Sequence, residues 1–525
     1  MSAKKRSSKD LKKLIVRILC LFLALLMVGG VLYSFIYSLA FSTNAAEDDT
    51  YVKVGLYWDS TSQASYTLSS GVGFLVGDLD SQNNFTTVKK ITDKTIVISA
   101  KASDLAENIA MTVLSSSGVK LYEVSKNQNL YIKSAADDEY MTIKGSNSYG
   151  GIFRFTRNSD NSMKLINILP LEDYVLGVLP NEISSYYPAE TKKAFAVTVR
   201  SYTLSSLGRH SSKDFNLCNT TCCQVYRGRK GVDDGFIQAV KGSRNMVMSY
   251  NKKIVQAYYS AITGGTTSGV YETWGSNYAY LKAIATPWEK YETASNGVWT
   301  VEYTPAELFE RLKSRGYELS GSIADVRIEQ LAENSTYVYK LKITDTTGKS
   351  VTITRTDNIR IALGLKSANF VCGRAGESVE RINYVIRDTV AGDVQISVMT
   401  ADGLKTATDL ENITVAAKDG IHTVNTNGAI DVRAAYGDFT VDISGGQEWS
   451  SELDRMLNAP TVAQKEKVTL SGSAGSFVFY GRGWGHGVGM SQTGARDLGN
   501  LGADYMTILT TYFPGISVVD YKTLT

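Results

Sequence analysis

The feature that most restricts this chain is an uninterrupted apolar run over residues 18–41, 24 positions without a charge. About 20 apolar residues span a bilayer core as a helix, whereas the apolar part of a cleavable signal runs to roughly 7–15. The length therefore favours a retained transmembrane anchor. Ser38-Leu39-Ala40 and Ala45-Ala46 mark where cleavage would otherwise fall. Seven cations precede the run (Lys4, Lys5, Arg6, Lys9, Lys12, Lys13 and Arg17) against one acid, Asp10. A cationic flank stays cytoplasmic, so residues 42–525 are expected outside the cytoplasm, in a protein of the cell membrane with a single pass. With that tail set aside, the net charge of +3 becomes −3, which excludes a general polyanion binder; no nucleic-acid partner is expected.

The full chain has a globular composition, 43% apolar and 20% charged, and is long enough for two to four domains. With only 7 Pro it contains no Pro-rich linker. After the cytoplasmic tail (1–17) and the anchor (18–41), residues 42–50 read as a polar tether. Short alternating runs follow over 51–157, with Val52, Val54 and Leu56 on one face, which predicts strands and turns. Region 158–372 opens with a helical block. Leu171, Tyr174, Val175 and Val178 recur at helical spacing. Pro188 begins a second helix with Glu190 in its first turn, Phe195, Val199 and Tyr202 on one face, and Arg200 towards its end. A non-helical junction, 179–187, is expected between the two. Thr304, Pro305, Glu307 and Gly316 bracket a further helix with a capping box, and 325–355 returns to strand alternation. The polar stretch 373–472 reads as a strand-rich insertion, and 473–525 completes the chain. The class is α+β: a strand-rich N-terminal part, a helical catalytic block and a strand-rich C-terminal part, preceded by one transmembrane helix.

Three groups of residues can carry chemistry. Glu182 stands at the junction beside Tyr186, Tyr187 and apolar neighbours, where a carboxyl loses solvation and keeps its proton towards neutral pH, as a general acid requires. An ordinary surface glutamate is the commoner meaning of such a residue taken alone, and Glu172 and Asp173 read as the acidic first turn of the preceding helix. The second group is His210 with Cys218, Cys222 and Cys223, four soft or borderline ligands of the kind that closes a structural zinc site. A disulfide from Cys218 to Cys222 or Cys223 uses the same residues, and adjacent cysteines rarely both face one metal. The third group is Gly481-Arg482-Gly483-Trp484-Gly485-His486-Gly487-Val488-Gly489-Met490-Ser491-Gln492. Its spacing fits neither a dinucleotide fingerprint nor a P-loop. Glycine alternating with Arg, Trp and His instead suits a binding loop for sugar rings and polar substrates.

Three blocks together resemble the stage II sporulation protein D (SpoIID)/LytB family: Leu171-Glu172-Asp173-Tyr174-Val175-Leu176-Gly177-Val178-Leu179-Pro180-Asn181-Glu182, Ala194-Phe195-Ala196-Val197-Thr198-Val199-Arg200-Ser201-Tyr202, and Cys218-Asn219-Thr220-Thr221-Cys222-Cys223-Gln224-Val225-Tyr226. Ala257-Tyr258-Tyr259-Ser260, Gly264-Gly265, Trp274 and the 481–492 loop continue the likeness in order. The resemblance implies a membrane-anchored lytic transglycosylase that cuts peptidoglycan glycan strands already stripped of stem peptides during sporulation engulfment, beside a wall amidase/endopeptidase partner. It maps the catalytic glutamate onto Glu182 and implies a zinc near the cysteine block, where Cys222 stands in place of the family's usual His. By motif position, Gln224, Tyr258, Ser260, His486, Ser491 and Gln492 are its substrate-binding candidates. The LytB branch implies a different role, a non-catalytic wall-binding amidase enhancer. A third role, a structural scaffold anchored at the membrane with zinc-stabilised loops, would have no need of Glu182.

Overall fold

A computed structural model describes residues 50–101, 108–295, 297–386 and 451–524, with four short strands between 396 and 423. The expected tail and anchor (1–41), nearly all of the tether and much of the 373–472 stretch lie outside the described residues. Among the described residues no helix is long and apolar enough to cross a membrane.

Alternation in the N-terminal part produces two sheets that share one core. The seven-stranded sheet runs in spatial order Leu217–Cys218, Tyr51–Tyr57, Met163–Pro170, Ile152–Arg157, Leu130–Ser134, Phe74–Leu79 and Phe85–Ile91. The six-stranded sheet runs Ser148–Tyr149, Met141–Ile143, Ser65–Ser69, Thr95–Ser99, Ile109–Ser115 and Lys120–Ser125. Val52, Val54 and Leu56 are buried as their spacing predicts, and Tyr66 of the second sheet meets Phe155 of the first at 5.5 Å between ring centroids.

The strand Met163–Pro170 feeds directly into helix α1 (Leu171–Glu182), and α2 (Ala189–Ser205) follows Pro188. The expected non-helical junction begins later than the sequence suggests. Pro180 sits inside α1 and removes one backbone donor, but burial of Val178 and Leu179 holds the last turn in place. Glu182 therefore closes a helix instead of lying in a loop. Arg200, wholly buried, ties α2 to α1 through a bidentate pair with Glu172 at 2.8 and 2.6 Å. Glu172 is thus a lock between helices as well as a first-turn acid.

A second core lies around Trp299, Leu308, Leu341, Ile353 and Phe479. It contains the capped helix Pro305–Ser314, with Thr304 and Glu307 in a reciprocal capping box, and the sheet Ile323–Leu331, Val338–Asp345 and Ser350–Thr354. The strands Asn369–Arg374 and Phe477–Arg482 pair antiparallel, Asn369 opposite Arg482, so everything between them leaves from and returns to neighbouring strands. The chain then enters the glycine-rich loop, the strand Met490–Ser491 and helix α3 (Gln492–Asn500).

Candidate active site

Three segments far apart in sequence converge on Glu182. The backbone N–H of Val225 donates to its Oε1 at 3.3 Å, and Gln492 Nε2, from the first residue of α3, donates to Oε2 at 3.3 Å. The Tyr259 hydroxyl is a third donor that acts on the Glu182 carboxyl and favours its ionised form. Burial raises the Glu182 pKa above the ordinary carboxylate value, and the three donors pull it part of the way back. Burial also pushes the Tyr259 hydroxyl well up, with the charge of Glu182 acting in the same direction, so Tyr259 stays protonated and remains a donor. A half-buried carboxyl with a raised pKa that still touches three donors can hold a proton, give it up and take it back.

Tyr259, which sequence reasoning passed over in favour of its two neighbours, is the residue of its block that reaches Glu182. The signal was strand alternation: Tyr259 and Ser260 form a two-residue strand paired with Met490 and Ser491, and consecutive strand residues face opposite ways. Tyr258 packs edge-on against Trp274 at 4.9 Å, away from the carboxyl. Ser260 is buried beside Ser491 in the two-stranded pairing, and its Oγ has no hydrogen-bond partner.

Gln224 and Ser491 sit too deep for the substrate contact expected of them. Gln224 is 1% exposed; its Oε1 accepts from Thr203 (3.0 Å) and Tyr174 (3.3 Å), and its Nε2 donates to the Tyr259 hydroxyl at 3.4 Å. It positions Tyr259. Ser491 is fully buried and caps α3 by accepting from Gly494 N at 3.1 Å, which aims Gln492 at Glu182. His486 packs on Trp274 at 4.8 Å, its Nδ1 accepts from Val488 N at 3.0 Å, and burial lowers its pKa to about 4. It is a neutral wall of the site at working pH. Within the loop, Gly489 has φ +75, and a Cβ there would fall 2.0 Å from the Tyr258 carbonyl oxygen, so only glycine lets the loop close on that strand. Trp484, 46% exposed, is the loop's open aromatic face.

The residue that organises this wall was not singled out in the sequence. Glu289 is 3% exposed, and its carboxylate accepts from Thr263 N (3.1 Å), Gly264 N (2.9 Å), Gly265 N (3.4 Å) and the hydroxyls of Thr263, Thr286 and Ser491. It ties the Gly264-Gly265 turn to the cap of α3. No local motif announces it, because its donors come from segments 26 and 202 positions away.

The ligand atoms of His210, Cys218, Cys222 and Cys223 all lie within 4.8 Å of one another. Tetrahedral zinc with Zn–S near 2.3 Å sets its ligands about 3.8 Å apart, so the cluster fits the ion with small side-chain movements. Both adjacent cysteines place their sulfurs in the cluster, the case in which both Cys222 and Cys223 are available as ligands. Hydrogen bonding with Cys223 draws the Cys218 thiol down to about 4, and the same contact with burial pushes the Cys223 thiol up. The cluster borders the Glu182 site, since Cys223 is followed by Gln224 and Val225, which contact Tyr259 and Glu182.

The model of the SpoIID family, a stage II sporulation protein, matches residues 159–250, which include α1, α2 and the cysteine cluster. An uncharacterized protein of Brachyspira hyodysenteriae is 24% identical over 423 residues, covering 80% of this chain and 84% of that protein. The amidase enhancer of Bacillus subtilis is 26% identical over 352 residues, 66% of this chain and 40% of its own length. Stage II sporulation protein D of Bacillus subtilis is 26% identical over 226 residues, 40% of this chain and 62% of its own length. The fold and site define an α+β domain with one glutamate held among donors. Residues 159–250 match the SpoIID family, and the chain is similar to proteins named stage II sporulation protein D and amidase enhancer.

Proposed function

We propose that the protein is a sporulation-associated lytic transglycosylase of the cell wall that cleaves peptidoglycan glycan strands stripped of stem peptides. The observation that carries this is the environment of Glu182: burial raises its pKa, and every hydrogen bond it makes comes from a donor, with no carboxylate among the groups that shift it. A glycosidase that uses water needs a second carboxylate at defined separation to act as base or nucleophile. A lytic transglycosylase needs one. Protonated Glu182 gives its proton to the glycosidic oxygen as the C1–O bond breaks. The carboxylate then takes the proton of the muramic C6 hydroxyl, whose oxygen bonds to C1 and closes a 1,6-anhydro ring. The nucleophile belongs to the substrate, and proximity replaces water activation. Tyr259 and Gln492 stabilise the transient carboxylate, while Trp484 and the loop face the sugar.

Zinc, when bound by His210, Cys218, Cys222 and Cys223, supplies no chemistry to the reaction: four protein ligands close its coordination. Those four residues, with the ion bound, would hold rigid the segment from which Val225 reaches Glu182. The apolar run at 18–41 would hold the enzyme at the membrane with the described domain outside the cytoplasm, beside the amidase/endopeptidase that removes stem peptides.

The second reading, a non-catalytic enhancer of a wall amidase, is favoured by the longer match to the amidase enhancer, 352 residues against 226 for stage II sporulation protein D. Mass spectrometry of denuded strands after incubation with the parent protein and with Glu182→Gln separates the two. Anhydro-muramic products from the parent alone support catalysis. No product from either, with stimulation of a separate amidase, supports the enhancer.

A further inference from the structure

We propose that the second core reads the charge of the glycan strand: Lys366 and Arg355, at the two ends of the helix Thr356–Leu363, bind the free muramic carboxylates that mark a strand stripped of stem peptides. The assignment rests on the glycan-strand reading above and adds to it what selects a stripped strand over an intact one.

The chemistry of the substrate sets the requirement. In an intact strand the muramic sugar carries its stem peptide through a neutral amide. Removing the peptide at that amide leaves a carboxylate, so a stripped strand is a row of sugar rings with a negative charge on every second one. A site for it needs aromatic faces for the rings and cations beside those faces.

The glycine-rich loop supplies the faces. Trp484 exchanges both backbone hydrogen bonds with Ile262, at 3.2 and 2.8 Å, three residues along from Tyr259. That is about 10 Å of extended chain from the donor on Glu182, so its ring meets a sugar further along the strand than the bond being cut. His486, two residues on, carries the wall to Trp274 at 4.8 Å between centroids.

The cations come from the second core. Gly485 N donates to the Lys366 carbonyl at 2.9 Å, which pins this residue to the loop, and its Nζ stands 5.6 Å from the centre of the Trp484 ring. A carboxylate on a sugar at that ring comes within reach of the ammonium. At the other end, exposed Arg355 donates from Nη1 to the Trp274 carbonyl at 2.8 Å, a neutral acceptor that leaves its charge uncancelled. Its backbone has φ +76, which glycine takes freely and arginine rarely. A strained, exposed cation fixed on the wall of a site points to a part in binding. The carboxylates on this side are engaged elsewhere. Asp357 accepts from Trp274 Nε1 at 3.1 Å and pairs with Arg360 at 2.7 Å, Glu272 lies back against Gly269, and Glu289 is buried among its donors. The eight-residue helix between the two cations is about 12 Å long, so they address different sugars of one strand.

The test measures binding by the full chain carrying Glu182→Gln, so that nothing is cut. The probes are stripped strands and the same strands with their carboxylates converted to neutral methylamides. Without further change the protein should prefer the free carboxylates, and the preference should fall as salt rises. Lys366→Gln and Arg355→Gly should each weaken binding of the stripped strand about two- to fivefold, and the double variant about tenfold, with the methylamide probe bound as before. Arg355→Gly keeps the fold, since glycine accepts this φ, and Lys366→Arg should keep the preference. Trp484→Ala should weaken both probes alike. A protein that binds the two probes equally overturns the proposal, as does a double variant that keeps the preference or weakens both probes by the same factor. Anhydro products released equally from both probes by the chain with Glu182 intact would sink this assignment and leave catalysis standing. A preference that depends on Lys366 and Arg355, in a protein that makes no anhydro product, would sink the catalytic reading and leave this one.

Discussion

Glu289→Gln tests how the catalytic wall is held. In the parent, Oε1 accepts from Thr263 N and the Ser491 hydroxyl, and Oε2 accepts from Gly264 N, Gly265 N and two threonine hydroxyls. An amide has one acceptor oxygen. Whichever way it is turned, its NH₂ faces at least one backbone N–H at a position only 3% exposed. An orphaned buried donor costs about 1–3 kcal/mol, and loss of a hydrogen bond to a charged acceptor adds about 1.5–3, so the expected loss is roughly 3–5 kcal/mol. Urea unfolding should show this as a lower midpoint with an unchanged slope. In the fraction that remains folded, turnover of glycan strands should fall roughly tenfold, because a loosened Ser491 cap no longer aims Gln492 at Glu182. A stability loss under about 1 kcal/mol would refute the reasoning, since it would mean the donors find other partners.

Tyr259→Phe removes a donor that favours the ionised form of Glu182; kcat should drop roughly tenfold and the basic limb of the pH–rate profile should move to higher pH, and a limb that stays in place would contradict the assignment. Because burial raises the folded pKa of Glu182 above its unfolded value, the parent is most stable where this carboxyl is protonated and loses stability as pH rises through the folded pKa. Glu182→Gln should therefore melt higher than the parent at pH 8, with the difference closing towards pH 4, each unit of elevation contributing about 1.4 kcal/mol; a pH-independent difference argues against a buried, strained carboxylate. Elemental analysis under reducing conditions should find one zinc per chain, lost in Cys218→Ser, and chelation should lower Tm before it lowers activity. Absence of zinc together with blocked thiols at Cys218 would make the cluster a disulfide.

Local pattern made the strands of the N-terminal sheets, the faces of α1 and α2 and the capping box at Thr304 legible, because each depends on residues within a few positions. It misplaced the end of α1: proline signals a break, and tertiary burial of Val178 and Leu179 overrode it. The residue types near Glu182 were legible from the family motifs, but their roles were not. Gln224 and Ser491 look like surface ligands in a sequence and become buried positioning groups only when strands from opposite parts of the chain meet. Tyr259 was recoverable from alternation. Glu289 was not, since its meaning depends on Thr263, Thr286 and Ser491 converging on one oxygen pair. The cysteine cluster was visible as composition, while the inward aim of both Cys222 and Cys223 required the loop geometry.

The central claim, a single glutamate that cuts glycan strands with the substrate's own hydroxyl, is tested most directly by digesting denuded strands in ¹⁸O-labelled water and weighing the new muramic ends. The account predicts 1,6-anhydro ends free of label from the parent and none from Glu182→Gln. Labelled reducing ends would contradict it, because they would show that water, activated by a second group, is the nucleophile.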